Sequence, residues 1–298
     1  MKKIAFALVL SFCAAVSSFA YSSDDVNQKM VRLSENLNAI LPNAATEQNV
    51  YAPAWIGKLL PSAPPHFAVG AEAGVTKFDL SPLKETADIF GVAGLPSLLV
   101  FPTITANARV GGLFLPFDVG FSAMYLNLNR IDSIADGLGI QFFDIGGDIR
   151  YAILRGDGFL PQISLGFGYY YIDGKISYAK DGLYAKVDYE CHTMFAQAQV
   201  SKTFLFFTPY VGFRGIVSKS QADWSWAADA ARVAGAPQYV DLVSAGNGSS
   251  SANFFGQFLP QVYGGFGLNL GFLALNFGAA YEFCNKIWGG NFSVRFQM

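Results

Sequence analysis

The stretch Phe258-Leu-Pro-Gln-Val-Tyr-Gly-Gly-Phe-Gly-Leu-Asn-Leu-Gly-Phe-Leu-Ala-Leu-Asn-Phe-Gly-Ala-Ala-Tyr281 carries no charge and is long enough to cross a membrane as a helix. Its apolar residues alternate instead. Phe258, Val262, Phe266 and Leu268 share one parity, against Gln261, Tyr263 and Asn269 on the other. Leu273, Leu275, Phe277, Ala279, Tyr281 and Phe283 then face one way, and Asn276, Gly278 and Glu282 the other. The chain ends on the same rhythm: Trp288, Phe292, Val294, Phe296 and Met298 against Asn291, Ser293, Arg295 and Gln297. A period of two specifies strand. Three consecutive strands, oily on one face and polar with glycine on the other, describe a wall between lipid and a polar interior.

Composition extends this reading to the whole chain. Of 298 residues, 52% are hydrophobic, 15% aromatic and only 14% charged, where a soluble domain has about 25% charged. No 18-residue apolar run lacks glycine, proline and alternation. A transmembrane β-barrel reconciles these facts, because its lipid face is apolar, its lumen polar, and its strands use glycine where they curve. The expected fold is all-β membrane: a single antiparallel barrel of about ten strands preceded by an amphipathic helix.

The amino end reads as a secretory signal peptide over 1–20. Lys2 and Lys3 precede a short apolar core from Ile4 to Val16, and Ser18-Phe-Ala20 forms a small-x-small cleavage site. Residues 21–63 read as a periplasmic helix and linker. Ser22-Ser-Asp-Asp25 supplies a helix start, and Val26, Met30, Leu33, Leu37 and Leu41 recur at helical spacing. Pro42 is expected to end that helix, and Pro53, Pro61, Pro64 and Pro65 mark an extended linker. Two roles stay open for it: packing on its own linker, or plugging the barrel.

Residues 64–298 form the expected barrel. Strands are placed at about 66–78, 102–112, 117–127, 140–154, 160–173, 184–200 and 205–218, followed by the three above. In the sixth, Val187, Tyr189 and Cys191 share one parity while Met194, Ala196, Ala198 and Val200 take the other, which predicts a bulge near His192. Short connections alternate with long ones at 79–101, 128–139, 174–183 and 219–254, with both chain ends on the short-turn side. A lysine or arginine facing lipid near the midplane costs about 2–4 kcal/mol. The map accordingly turns Arg109, Arg150, Arg214 and Arg295 into the lumen, together with Glu72, Asp118, Asp144, Asp148, Asp188, Glu190, His192 and Glu282. This lining reads either as a structural network or as the selectivity wall of a narrow pore.

The C-terminal strand, Asn291-Phe-Ser-Val-Arg-Phe-Gln-Met298, resembles the signal by which outer-membrane proteins are recognised by the barrel-assembly machinery. Its spaced hydrophobics are Phe292, Val294, Phe296 and Met298, with Met298 where an aromatic usually stands. Val110-Gly-Gly-Leu-Phe-Leu-Pro-Phe-Asp-Val-Gly120, with Pro64-Pro-His-Phe-Ala-Val-Gly70, resembles outer-membrane barrels common in spirochaetes, some of them compared with long-chain fatty-acid transporters. The resemblance covers about 54–130 plus the tail. It implies a location in the outer membrane and passage or binding of a small hydrophobic ligand. The oily loop 79–101, with Phe90, Leu95, Leu98 and Leu99, is the candidate ligand segment or lid. The alternative is a closed structural or surface-interaction barrel.

Catalysis is not expected. The two histidines, His66 and His192, stand apart, and Cys191-His192 sends its side chains to opposite faces of a strand. No metal or cofactor motif is present. With a net charge of −2 and no basic stripe, nucleic acid is not an expected partner. The expected partners are outer-membrane lipid, the assembly machinery and a hydrophobic ligand, with the protein a monomer. Cys191 and Cys284 are expected to stay unpaired.

Overall fold

The computed structural model describes residues 23–62, 65–89, 95–129, 137–156, 158–228 and 245–298. The signal-peptide assignment and Phe90 lie outside them. Two helices, α1 (Ser23–Thr46) and α2 (Ser81–Ile89), accompany eleven strands. These are β1 (Phe67–Asp79), β2 (Leu98–Gly111), β3 (Phe117–Asn129), β4 (Leu138–Arg155), β5 (Gln162–Lys180), β6 (Leu183–Ser201), β7 (Phe207–Ala228), β8 (Ala245–Ala252), β9 (Phe258–Leu270), β10 (Leu273–Glu282) and β11 (Ile287–Gln297). All pairings between these strands are antiparallel. β1 joins β11, and β6 joins β7, so ten strands close a barrel. The eleventh, β8, extends the wall above β9 and takes no part in the closure. It pairs with the upper part of β7, from Ser220 to Ala227, while β9 pairs with the lower part, from Phe207 to Val217.

The long strands show why pattern alone misplaced their ends. Along β5, Ile163, Leu165, Phe167, Tyr169 and Tyr171 point outward, followed by Asp173, Lys175 and Ser177 on the same face. Along β7 the outward series runs Phe207, Val211, Phe213, Val217, then Lys219, Gln221 and Asp223. The outer face is therefore apolar for about 9–11 residues, the length that spans a bilayer, and polar beyond it. The interior inverts at the same height. Ile172, Ile176 and Tyr178 of β5, Val187 and Tyr189 of β6, and Trp224 and Trp226 of β7 are buried inward in one core. Below the change the barrel is built for lipid outside and polar groups inside; above it, for water outside and an apolar core inside.

This inversion removes the bulge expected at His192. β6 keeps unbroken register with both neighbours. Odd residues face inward throughout, so Val187, Tyr189 and Cys191 enter the upper core, while Met194, Ala196, Ala198 and Val200 face lipid. The register shift lies instead in β4, between Ala152 and Leu154. Segment 174–183 and the described parts of 219–254, expected as loops, are largely strand. β5 and β6 meet at a tight turn with positive φ at Asp181 and Gly182, and Gly246-Asn-Gly-Ser-Ser-Ser251 belongs to β8.

Helix α1 lies inside this upper barrel. Val26, Met30, Leu33, Leu37 and Leu41 are all fully or almost fully buried, in one cluster with the inward residues of β4–β7. Each such side chain contributes roughly 1.5–3 kcal/mol relative to exposure. The helix continues past Pro42 to Thr46. Packing of Leu41, Ala44 and Ala45 outweighs the proline penalty, and Asn43 donates from its side-chain amide to the Ala39 carbonyl (3.1 Å) beside the interrupted turn.

The amino end of the described chain is at the long-loop mouth, not on the short-turn side. Trp226 Nε1, near the top of β7, donates to Asn27 Oδ1 (2.9 Å), and Lys29 pairs with Glu85 of α2 (2.5 Å). At the other mouth Leu59 N–H donates to the Gly112 carbonyl (3.0 Å), in the β2–β3 turn. Met298 meets Phe67 there, each N–H donating to the other's carbonyl (3.0 and 3.3 Å). Residues 23–58 thus run the length of the barrel before β1 begins.

Candidate functional site in the plugged lumen

Below α1 the chain leaves the helix and passes extended through the membrane-level lumen. Its sequence, Thr46-Glu-Gln-Asn-Val-Tyr-Ala-Pro-Ala54, is rich in side chains that hydrogen-bond. Thr46 turns its hydroxyl back to the Asn43 carbonyl, and Glu47, Gln48, Asn49 and Tyr51 each find a partner on the wall. The helix ends on Arg214, whose Nη1 donates to the Thr46 carbonyl (2.6 Å). A guanidinium suits that position because the last carbonyls of a helix are unsatisfied and partially negative. Arg214 also donates to Gln261 Oε1 (3.0 Å) and Gln197 Oε1 (3.2 Å), and lies 4.2 Å above the Tyr263 ring.

The next three residues reach two strands of the wall, β1 and β4. Glu47 accepts from Thr76 Oγ1 of β1 (3.4 Å), in space left by Gly289 of β11, where a methyl would collide with the carboxylate. Gln48 donates to Asp144 Oδ2 of β4 (2.7 Å), and Asn49 to Asp148 Oδ1 (2.8 Å). Val50 and Ala52 pack with Tyr210, Tyr263 and Ala280. Gln199 Nε2 donates to the carbonyls of Tyr51 (2.8 Å) and Ala52 (3.0 Å).

Tyr51 and the charges around it form the densest part. Arg109 bridges two carboxylates, Nη1 to Asp118 (2.6 Å) and Nη2 to Asp148 (2.6 Å). Arg150 clasps Asp118 with Nε and Nη2, both at 2.9 Å. Arg295 pairs with Glu72 (2.5 Å). The guanidinium carbons of Arg295 and Arg109 lie 3.8 and 4.6 Å from the Tyr51 ring centroid. The plug backbone joins in: Asp118 Oδ2 accepts from Ile56 N–H (3.1 Å), and Arg150 Nη1 donates to the Pro53 carbonyl (3.0 Å). Burying such charges is costly unless they are paired and hydrogen-bonded, and here the pairing uses both wall and plug. Like Glu47, which meets the Thr76 hydroxyl, Asp144 is an exception. Its Oδ2 is met by Gln48, its Oδ1 has no partner, and no cation pairs with it among the described residues.

The structure brings Glu72, Arg109, Asp118, Asp148, Arg150 and Arg295 into this linked network, and Asp144 and Arg214 beside it. Glu282 is elsewhere: buried at the long-loop mouth, it accepts from the backbone N–H groups of Cys284 and Asn285 and holds the β10–β11 turn. Asp188, Glu190 and His192 face outward above the lipid-facing zone, where His192 Nε2 meets Glu190 (2.9 Å) and its Nδ1 meets Tyr169 Oη (2.7 Å). Parity alone places them in the lumen, because in sequence the face inversion looks like a bulge. Leu95 and Leu99 are buried in the upper core with Leu80 and Leu83, whereas Leu98 is exposed at the start of β2. This part of loop 79–101 tucks inward and covers the mouth. Phe292, Val294 and Phe296 all face outward on β11. Glu47, Gln48, Asn49 and Tyr51 were not singled out from sequence. The only signal was a polar run followed by Val-Tyr between prolines, and parity says nothing about a non-strand segment.

No family model and no curated protein matches the chain. Similar solved structures include the outer-membrane protease OmpT from Escherichia coli, at 10% identity and TM-score 0.45, covering 78% of this chain and 95% of that one. The translocator domain of autotransporter NalP from Neisseria meningitidis gives 9% identity and TM-score 0.38, over 78% and 88%. A FadL homologue from Pseudomonas aeruginosa gives 12% and 0.36, over 73% and 60%. A protease among these structures corrects the expectation that catalysis is excluded: this type of barrel carries an enzyme in that protein. The architecture of this chain is a closed antiparallel β-barrel of ten strands with an N-terminal helix, the fold class of these structures.

Proposed function

We propose that the protein is a closed barrel of the outer membrane, with its long-loop end outward, and that it acts through its outer surface rather than as an open pore. One observation carries this reading: from Thr46 to Ile56 the lumen holds a segment bonded to the wall at every level. Ten strands enclose an interior close to the size that side chains alone fill. Here a second layer of chain completes the filling. The outward-facing apolar zone fits lipid as its partner, and the spaced hydrophobics of β11 fit recognition by the assembly machinery. Kinship with spirochaete-type barrels rests on the two quoted segments. Passage of a small hydrophobic ligand would require residues 46–56 to leave their wall partners.

Planar-bilayer recording on the refolded full chain tests this reading. It predicts no steady conductance. Sustained single-channel steps from the unmodified protein would refute it, whatever the behaviour of shortened variants.

A further inference from the structure

The direction in which the plug runs has a consequence for what precedes it. At Ser23 the chain stands at the long-loop mouth, beside the tops of β7 and β8; at Lys58 it is bridged to Gly112 at the short-turn mouth. A 24-residue helix covers about 36 Å at 1.5 Å per residue, and the extended residues after it complete the traverse. The C-terminus returns to the short-turn mouth, where Met298 pairs with Phe67. The two ends of the described chain therefore lie on opposite sides of the apolar zone. The flank of α1 left uncovered is polar: Asp24, Asp25, Gln28, Arg32 and Glu35 are exposed, along a surface groove of about 420 Å³.

We infer that the amino-terminal side of this protein is displayed on the outer face of the cell, with α1 and the segment after it as a tether threaded through the barrel. The inference rests on the proposed orientation of the barrel in the outer membrane. Given that orientation, it follows from chain polarity: β1 starts at the inner mouth, and the only described connection from α1 to β1 runs down the lumen. The acids of the first turn, Asp24 and Asp25, stay in water at the outer mouth, and α1 is held there by Asn27–Trp226, Lys29–Glu85 and Asn38–Ser250.

Three variants of the full chain, each with one added cysteine and made with Cys13→Ser and Cys284→Ser so that only buried Cys191 remains otherwise, test the inference on intact cells. The probe is a membrane-impermeant maleimide. Asp24→Cys is expected to be labelled without permeabilisation, as is Asp181→Cys in the β5–β6 turn; Lys58→Cys is expected to need permeabilisation. Protection of Asp24→Cys while Asp181→Cys is labelled would overturn the threading inference and leave the orientation standing. Protection of Asp181→Cys with labelling of Lys58→Cys would overturn the orientation, and the inference with it. All three sites are exposed or half-buried, and heat-modifiable gel mobility confirms that each variant is folded.

Discussion

Replacing Asp118 by alanine removes the acceptor shared by two wall arginines and one amide of the plug. Asp118 is fully buried and accepts from Arg109, from two nitrogens of Arg150 and from the Ile56 amide. Arg109 retains Asp148 (2.6 Å), but Arg150 would keep only the Pro53 carbonyl (3.0 Å) and a long contact to Gln199 (3.5 Å). Breaking a buried pair by deleting one partner costs about 3–5 kcal/mol, because the remaining charge stays buried without its counter-ion. With a urea slope of about 2–3 kcal/mol per molar, the midpoint should fall by roughly 1–2 M. Tryptophan fluorescence in lipid vesicles reports it, since Trp55 lies on the plug near the affected level. Arg150→Met on its own should also destabilise, and the double variant should cost less than the sum, with a coupling of about 1–3 kcal/mol. A loss below about 1 kcal/mol for Asp118→Ala, or strict additivity with Arg150→Met, would refute the claim that this network holds the plug.

Four further outcomes follow from the same geometry. Asp144→Asn should leave stability unchanged or raise it in the same urea titration, because this carboxylate pairs with no cation among the described residues; a loss like that of Asp118→Ala would contradict the map. Gly289→Leu fills the space of the Glu47 carboxylate and should destabilise by about 1–3 kcal/mol, the usual cost of overpacking, with new conductance in bilayers if the plug is displaced. Trp226→Ala opens the upper core and should cost about 3–5 kcal/mol, measured as a lower thermal midpoint. On β6, Ala196→Arg faces lipid and should cost about 2–4 kcal/mol, while Tyr184→Arg, outward on the same strand but in the polar zone, should cost under about 0.5 kcal/mol.

The sequence displays the lipid-facing half of this fold openly, because an apolar outer face and a polar lumen leave a period of two in which the outward face is the aromatic-rich one. Arg109, Arg150, Arg214 and Arg295 were found by that rule, since an arginine has no low-cost place on the other face. The rule fails where the surroundings change. Above the apolar zone both faces exchange character, so the inward Val187 and Tyr189 look like lipid-facing residues, and the outward Glu190 and His192 look lumenal. The strand β8, with its glycines and serines, carries no hydrophobic face of its own and reads as a loop; it forms because the top of β7 offers it an edge. Pro42 marks a helix end by local preference, yet the buried side of α1 continues beyond it. The plug residues after Thr46 are the least legible. Their partners lie on strands tens to hundreds of residues away, as with Glu47 and Gly289, and no local pattern encodes those meetings.

Paired cross-linking of plug to wall tests the account at its centre. A cysteine pair at Asn38 and Ser250, whose side chains meet at 3.0 Å, marks the outer level. A pair at Lys58 and Gly112, joined as an isolated bridge, marks the inner one. With a short bifunctional maleimide in the folded, membrane-inserted protein without Cys284, mass spectrometry should find both links, and none in the mismatched pair Asn38 with Gly112. Efficient linkage of the mismatched pair, or failure of both matched pairs in folded protein, would contradict a plug threaded from the long-loop mouth to the short-turn mouth.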